Sequence, residues 1–321
     1  MVSSANSYDS RRAVVDVGSN SVLLLVAERQ GDTWIPLQET TAVTGLGAGT
    51  KQSGLLSEDG MADTLAALAQ ARDVAAQHGV RDVLYGGTMA LRIARNTDEF
   101  LRRAQAQGTP VTVVSGEDEA QLGFWAVAED PLFNGADRLS IIDPGGHSTE
   151  LVTADRTATG WEIRFRRSYP VGALGLRESV LTGESPDFAA RLGALAEIDR
   201  MIGLDYRPGQ GGVAVVLGAT GTNLISMRER LLTWQPDRVH GAILDYEEVG
   251  RAVGWLCDMT DAERAQVPGL EPGREKTIHG GALILERFLN ALHVLDCRVS
   301  IRGWRHALLV RGADSLTPLP V

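Results

Sequence analysis

The chain has 321 residues, more than one hydrophobic core usually supports, so its length predicts two domains of ordinary size. Apolar residues make up 44% and charged residues 22%, values typical of a folded globular protein rather than of a disordered or membrane one. The net charge of −10 argues against a general nucleic-acid binder, because such proteins neutralise phosphates with surplus Lys and Arg.

The N-terminus and the cysteines exclude further classes. The start, MVSSANSYDSRR, lacks an apolar stretch after basic residues, and no later run approaches the roughly 18 apolar residues of a membrane span. We therefore predict a short disordered lead-in, a cytoplasmic location and no membrane association. Cys257 and Cys297 are too few and too far apart in sequence to indicate a disulfide framework or a metal knuckle.

Strand and helix signals alternate along the first part of the chain. AVVDV (13–17) and VLLLVAE (22–28) predict a hairpin. An apolar stripe at helical spacing predicts a helix over 61–78 that stops at Gly79. Next come a strand over 80–87, a helix over 97–107, a strand over 110–115, a helix over 117–129 and a polar loop over 129–138. This alternation indicates an α/β layered sheet.

The most informative feature is an internal repeat. DVGSNSVLLLVA (16–27) and DPGGHSTELVTA (143–154) align without a gap at an offset of 127 residues (143 − 16), and an apolar strand precedes each copy. A strand followed by Gly and Ser is a common turn when it occurs once. Two copies predict two homologous domains, each with an Asp at a strand end and a Gly/Ser hairpin loop.

Such loops suit phosphate. Glycines let backbone N–H groups turn toward an anion, and Ser or Asn side chains add neutral donors. The candidate phosphate-binding residues are Gly18, Ser19, Asn20 and Ser21 in the first copy and Gly145, Gly146, His147 and Ser148 in the second. Asp16 and Asp143 can hold Mg²⁺ (or Mn²⁺) through water, since Mg²⁺ is commonly bound by one or two carboxylates plus substrate phosphates. Two facing copies would clamp one phosphate chain.

Nine segments in order resemble the exopolyphosphatase and guanosine pentaphosphate phosphohydrolase (Ppx/GppA) family. They are VVDVGSNSVLLLV, GTMALRIARN, VSGEDEAQLGFWAV, IIDPGGHSTELV, YPVGALGLRE, VLGATGTNL, DRVHGAILDYEEV, MTDAERAQVPGLEPGREKTIHGGALIL and VSIRGWRHALLV. The resemblance implies the α/β actin-like ATPase fold of actin, sugar kinases and Hsp70-type ATPases, with two RNase H-like domains and an interdomain cleft. It implies domain I over 11–135, domain II over 136–302, and a last segment, 303–321, that can rejoin domain I. The chain resembles the short, two-domain form.

The resemblance also implies roles for residues. Glu119 in SGEDEA corresponds to the catalytic glutamate and is the candidate general base; by position alone it is an ordinary acidic residue at a helix start. Asp143 and Glu150, with Asp16 in the first copy, match positions associated with Mg²⁺ and the attacking water. Arg92 matches an arginine used against the substrate phosphate. The loop with Gly218, Thr220 and Gly221 contacts a phosphate or ribose, or merely connects a strand to a helix. Arg302 and Arg305 would add positive potential at the cleft.

The chain departs from the family pattern at three positions. Pro144 and His147 replace an aliphatic residue and a glycine in the second loop, and His306 stands where the family commonly has Glu. Pro144 removes a backbone donor, and His147 would resist a positive φ. These changes bear on rate and substrate preference more than on fold.

The sequence thus predicts a Mg²⁺-dependent exopolyphosphatase that releases orthophosphate from chain ends of short polyphosphates. Guanosine pentaphosphate (pppGpp) hydrolysis is the nearest alternative. A phosphotransferase or ATPase of the same fold is a second, which the Glu119 segment speaks against. A catalytically weakened sensor of polyphosphate or alarmone is a third. No nucleic-acid partner is expected, and a homodimer is left open.

Overall fold

The computed structural model describes residues 10–31, 33–203 and 212–316. The predicted lead-in therefore lies almost wholly outside the described residues, as does the end of the last segment. Contacts divide the chain into unit 1, Met1–Asp118 with Arg305–Val321, and unit 2, Glu119–Trp304. No helix among the described residues is long and apolar enough to cross a membrane.

Unit 1 contains a five-stranded mixed sheet flanked by helices. Its elements are β1 (Arg11–Val17), β2 (Ser21–Gln30), β3 (Thr33–Val43), α1 (Thr50–Ser53), α2 (Glu58–Gln77), β4 (Val83–Gly87), α3 (Met89–Ile93), α4 (Thr97–Ala106), β5 (Val111–Val113) and, near the chain end, α13 (Trp304–Arg311). The strand order is β3-β2-β1-β4-β5. β1, β2 and β3 are antiparallel neighbours, and β1, β4 and β5 are parallel. Helix α5 (Gly116–Ala128) begins in unit 1 and continues into unit 2.

Unit 2 contains a six-stranded sheet. Its elements are β6 (Arg138–Pro144), β7 (Thr149–Thr157), β8 (Gly160–Tyr169), α6 (Ala173–Ser179), α7 (Phe188–Ile202), β9 (Val213–Val216), α8 (Gly218–Arg228), α9 (Pro236–Val239), β10 (Ile243–Asp245), α10 (Tyr246–Asp258), α11 (Asp261–Arg264), α12 (Ile278–Ala291) and β11 (Asp296–Val299). The strand order is β10-β11-β9-β6-β7-β8. β6, β9 and β11 are parallel, and β10 adds an antiparallel edge.

The two sheets repeat one topology, an antiparallel three-strand meander followed by parallel strands. The copies agree in detail at the sequence offset of 127. A β-bulge falls at Val26/Ala27 in one and at Thr153/Ala154 in the other. The N–H of Arg29 donates to the carbonyl of Ser10, and that of Arg156 to the carbonyl of Asp137. The repeat seen in twelve residues therefore extends over the whole meander.

The predicted elements of the first part of the chain are present. The hairpin pairs Val17 with Val22, the first long helix ends at Gln77 before Gly79, and Gly79 has φ of +79°. Two long strands, β3 and β8, were not predicted. β3 is mostly exposed and contains Pro36, beside the bulge, so it carries neither a clear apolar alternation nor an uninterrupted strand signal.

The division into units differs from the predicted domains at residues 119–135, which belong to unit 2. The reason is a separate hydrophobic core in which Ala120, Phe124 and Phe133 pack against Ile141 and Val152 of β6 and β7. The C-terminal half of α5 and the following loop thus cover one face of the second sheet. The other face packs against a larger core that includes α12, and unit 1 has its own core around β1, β2 and α2.

One buried arginine organises the helical part of unit 2. Arg264 has 0% of its surface exposed, and its guanidinium donates to four backbone carbonyl oxygens and to the Asp261 carboxylate. The carbonyls are those of Glu184, Leu256, Met259 and Glu275, at 2.6 to 2.7 Å. Asp261 also accepts from Arg177 at 2.7 Å, so the charge of Arg264 is compensated. This arrangement ties the connection before α12 to α6 and α10.

We expect Arg264→Ala to lower the free energy of unfolding by about 3–5 kcal/mol, because it leaves buried carbonyls and a carboxylate without their donor. Urea unfolding measures the change. Arg251→Ala is the matched control, since Arg251 is 66% exposed and pairs with Glu247 only at 3.6 Å. The control should change stability by no more than about 0.5 kcal/mol. Equal midpoints for the two variants would contradict the structural role of Arg264.

Candidate active site

The two repeat loops have the same backbone geometry. The Gly18 N–H donates to the Ser21 carbonyl at 2.9 Å, and the Gly145 N–H donates to the Ser148 carbonyl at 2.8 Å. A Cβ atom at Gly18 or Gly145 would lie 3.1 or 3.0 Å from that carbonyl oxygen. Both positions therefore favour glycine because of close approach within the turn.

In the first loop, the carbonyl groups face a neighbouring segment. The Ser19 carbonyl accepts from Gly47 N–H at 2.7 Å, and the Asn20 carbonyl accepts from Thr44 and Gly45 at 3.0 and 3.1 Å. In a trans peptide the N–H points opposite to the C=O. The N–H groups that follow Ser19 and Asn20 therefore point away from residues 44–47.

In the second loop, the carbonyl groups of Gly145 and Gly146 face the start of α6, one position earlier in the repeat than in the first loop. The Gly145 carbonyl accepts from Ala173 at 3.0 Å, and the Gly146 carbonyl accepts from Leu174 and Gly175 at 2.8 and 3.0 Å. The N–H groups of Gly146 and His147 consequently face the opposite side. Each loop thus presents a small group of backbone donors on one side, the arrangement that binds phosphate oxygens.

The side chains of the first loop divide into two kinds. Ser19 Oγ is buried and accepts from the Ala90 N–H at 3.1 Å, so it holds the start of α3. Ser21 Oγ and Asn20 Nδ2 are buried atoms without a hydrogen-bond partner among the described residues. These two atoms are therefore buried side-chain donors of the first loop that no described residue satisfies.

The departures at Pro144 and His147 cause no backbone strain. Pro144 is the last residue of β6, where its missing donor falls at a strand end. His147 is absent from the residues with positive φ, so the expected conflict with a left-handed backbone does not arise. Its side chain is fully buried, with Nε2 3.4 Å from Glu178 Oε2. Only its backbone therefore belongs to the donor side of the loop.

Two carboxylates lie opposite each other on β6 and β7. Asp143 pairs with Glu150, so both side chains project from the same face. Glu150 is 3% exposed, and Ser168 of β8 donates to its Oε1 at 2.6 Å. In the first copy, the residue opposite Asp16 is Leu23. The carboxylate pair therefore belongs to the second loop alone.

Helix α5 brings Glu119 to the same face. That face carries Ile141 and Val152, which pack against the helix, and α5 connects through residues 129–137 to the start of β6. The helix therefore runs antiparallel to β6, and its N-terminal end lies toward the end of β6 that carries Asp143. Glu119 is 8% exposed, whereas Glu117 is exposed. The structure thus separates the candidate base from the solvated acidic residues beside it.

The loop after β9 adjoins Asp143. Gly218 has φ of +72°, and a Cβ there would lie 2.9 Å from Asp143 Oδ1. Gly123 of α5 lies against Leu217, the residue before Gly218. Of the three predicted ligands in this loop, only Gly218 is exposed; Thr220 and Gly221 are buried. A Cβ at Gly221 would lie 2.6 Å from Val216 Cγ1, so that glycine allows α8 to pack on β9.

The predicted arginines have different surroundings. Arg92 is half-buried in α3, and its Nη1 donates to the Val114 carbonyl at 2.8 Å, just before α5. Arg305 donates to Glu39 at 2.6 Å, and Arg302 lies 3.3 Å from Asp130. The charges of Arg302 and Arg305 are therefore largely compensated by carboxylates of their own unit.

The first loop, Asp16 and Arg92 all belong to unit 1. In unit 2, Asp143, Glu150 and Gly218 lie beside the second loop, and Glu119 lies on the helix that packs on the same face of the sheet. Burial, followed by the charges of Arg264, Arg177 and Arg191, lowers the pKa of His279 in α12 to about 3, so its imidazole is uncharged near neutral pH.

The donor set fits Mg²⁺. No group of three or more His, Cys, Asp or Glu suited to a metal occurs within 10–31, 33–203 and 212–316. Mg²⁺ does not require one, because it keeps several waters and commonly takes one or two carboxylates plus phosphates. Asp143 and Glu150, which project from the same face of adjacent strands, supply such a pair.

Sequence reasoning missed Ser168. It precedes the YPVGALGLRE segment and lies in the exposed-looking run RFRRS, so no pattern distinguishes its hydroxyl. Only the pairing of β7 with β8, which sets Ser168 opposite Glu150, reveals its contact.

Comparison with known proteins decides the family. A sequence model described as the Ppx/GppA phosphatase family matches residues 25–316. The chain belongs to this family. It is 27% identical over 312 residues to exopolyphosphatase 1 of Mycobacterium tuberculosis (strain ATCC 25618 / H37Rv), covering 95% of this chain and 89% of that protein. It is 26% identical over 302 residues to exopolyphosphatase 2 of the same organism, covering 88% and 91%.

Solved structures agree. The Ppx/GppA family member of Aquifex aeolicus superposes with a TM-score of 0.76 at 27% identity, covering 94% of this chain and 96% of that one. An exopolyphosphatase from Cytophaga hutchinsonii gives a TM-score of 0.84 at 21% identity, covering 96% and 99%, which supports the fold alone. The predicted α/β actin-like ATPase fold is confirmed. So is the predicted enzyme class, a hydrolase of phosphoanhydride bonds.

Proposed function

We propose that this Ppx/GppA phosphatase is an exopolyphosphatase that releases orthophosphate from the ends of inorganic polyphosphate. The observation that carries the proposal is the pair of hairpin loops that share the Gly18 and Gly145 turn hydrogen bond, each presenting backbone donors on one side. A substrate made of repeated phosphates suits two repeated anion sites. The exopolyphosphatases of Mycobacterium tuberculosis, similar over most of their length, support the same substrate.

The chemistry transfers a terminal phosphoryl group to water. The bond between the terminal phosphorus and its bridging oxygen breaks as a new bond to the water oxygen forms, giving orthophosphate and a chain shorter by one unit. Glu119 accepts the proton of the attacking water. The loop N–H groups, Ser21 and Arg92 hold phosphate oxygens. The planar guanidinium of Arg92 can bind two of these oxygens at once. Asp143 and Glu150 would hold Mg²⁺, which when bound neutralises charge on the phosphate oxygens.

The alternative substrate is pppGpp, which requires the same chemistry. A catalytically weakened sensor of polyphosphate or alarmone, suggested by Pro144 and His147, stays the second alternative, although His147 does not have a left-handed backbone. Phosphate release from polyphosphates of several lengths, pppGpp and ATP, with and without Mg²⁺, compares the candidates. Faster turnover of pppGpp than of any polyphosphate would replace the proposed substrate. A cytoplasmic location and a homodimer stay predictions.

We expect Glu119→Gln to lower hydrolysis by on the order of 10²–10⁴, the usual contribution of a positioned acid–base group, while substrate binding is retained. Glu117→Gln is the matched control, because Glu117 lies two residues earlier in the same helix and is exposed. It should keep wild-type turnover. Near wild-type turnover of Glu119→Gln would remove Glu119 as the base.

We expect activity to require a divalent cation and Asp143→Asn to raise the Mg²⁺ concentration needed by about tenfold or more, since loss of one carboxylate weakens the donor pair. Titrating activity with Mg²⁺ after treatment with EDTA measures both effects. Asp98→Asn, on the exposed first turn of α4, is the control. Full turnover by the EDTA-treated enzyme would end the metal proposal.

We expect distributive action on short polyphosphates. Long chains are held processively by extended positive surface, because each further phosphate gains affinity from local positive charge. Here the net charge is −10, and exposed arginines such as Arg164, Arg200 and Arg238 pair with carboxylates. The product ladder of a long chain at early times is the measurement. Evenly shortened chains are expected; intact long chain beside orthophosphate alone would show processive digestion.

A further inference from the structure

The first turn of α12 contains two buried glycines that lie against the helices of the site. A Cβ at Gly281 would lie 2.4 Å from Thr220 Oγ1, 3.3 Å from its Cγ2 and 3.4 Å from its Cβ. Real Cβ atoms do not approach so closely, so only glycine fits here while Thr220 keeps its place. An added methyl at this point would therefore force Thr220 out of its observed rotamer or displace the first turn of α8.

The neighbouring glycine makes a similar contact with α6. A Cβ at Gly280 would lie 3.2 Å from the Ala173 carbonyl oxygen. The N–H of Ala173 donates to the Gly145 carbonyl, so this contact lies directly behind the second phosphate loop. The start of α12 therefore touches both helices that border the predicted metal and phosphate site of unit 2.

Thr220 is 5% exposed and lies one turn or less from the exposed end of α8. Gly218, two residues earlier, lies against Asp143 Oδ1. An α-helix transmits a displacement of its first turn as a rigid body, so the position of Thr220 sets the position of Gly218. The buried hydroxyl of Thr220 faces α12, whereas Gly218 is accessible.

We infer that Thr220 and Gly281 form a packing contact that positions the start of α8 against Asp143, and that Thr220 is a positioning residue rather than a phosphate ligand. The inference rests on the proposed function for the role of Asp143. It replaces the expectation that Thr220 binds substrate. It also explains why the first turn of α12 contains the adjacent glycines Gly280 and Gly281, which have no role in the proposed phosphate binding or proton transfer.

The test is a double-mutant cycle of Gly281→Ala, Thr220→Ala and both together. The added methyl of Gly281→Ala displaces α8, and we expect kcat to fall about 10- to 100-fold and the Mg²⁺ requirement to rise, since small misplacements have effects of this size. Thr220→Ala removes the obstructing atoms and should change kcat less than about fivefold, well below the worth of a positioned ligand. In the double variant, kcat, Mg²⁺ requirement and urea midpoint should all return toward those of Thr220→Ala.

The matched control is Gly254→Ala, the same change in α10 at a site where a Cβ meets nothing within 4 Å. It should leave kcat and the Mg²⁺ requirement unchanged. Thr220→Val, which removes the hydroxyl but keeps both branches, covers the case in which Gly281→Ala does not fold, and it should keep activity within about fivefold of wild type.

Two results would overturn the inference. One is a folded Gly281→Ala with wild-type kcat and Mg²⁺ requirement. The other is a large loss of kcat in both Thr220→Val and Thr220→Ala that persists in the double variant with Gly281→Ala. That result would make the Thr220 hydroxyl a ligand. Urea unfolding tests the contact independently of turnover. If the double variant is no more stable than the sum of the two single changes predicts, the inference is also refuted. If instead wild type released no phosphate from polyphosphate, the proposed function alone would fail.

Discussion

The structure depends on one constraint, the planar trans peptide of each hairpin loop. When a loop carbonyl accepts a hydrogen bond on one side, the adjoining N–H must face the other. N–H groups of residues 44–47 donate to the carbonyls of the first loop, and N–H groups at the start of α6 donate to those of the second. The backing segments therefore create the donor surfaces. Both segments carry a glycine at the repeat offset, Gly45 and Gly172, and both orient the peptide that follows Ser19 in one copy and Gly146 in the other.

The second constraint is the asymmetry between the copies. Leu23 stands where the second copy has Glu150, so only unit 2 offers two carboxylates from adjacent strands. The core formed by α5 against β6 and β7 then fixes Glu119 on the face from which that pair projects. Unit 1 instead offers hydrogen-bond donors: the loop N–H groups, Ser21 Oγ and Arg92. The repeated fold thus carries a cross-strand pair of carboxylates in the second copy and a single one, Asp16, in the first.

Several features followed from local sequence. The first hairpin, the helix ending before Gly79 and the strand end at Asp143 all have short-range signals, and each is present. The long strand β3 was missed because it is mostly exposed and shows no clear alternation. β8 was missed although Trp161, Ile163 and Phe165 alternate with charged residues, a pattern that indicates a half-buried strand. The assignment of 119–135 to unit 2 was missed because α5 begins in one unit and buries its apolar residues in the other. His147 looked like a source of strain because φ cannot be read from sequence.

The sequence by itself determined the repeat, the α/β class, the family and the residue types available for phosphate and metal, because these depend on motif order and short-range periodicity. Tertiary structure decided which of those residues face a ligand. Ser19 and Ser21 are two residues apart in one loop, yet the Ser19 hydroxyl holds α3 and the Ser21 hydroxyl has no hydrogen-bond partner among the described residues. Gly218 is exposed beside Asp143, while Thr220 faces Gly281. Side-chain direction depends on what packs behind each element, and those partners lie tens of residues away along the chain.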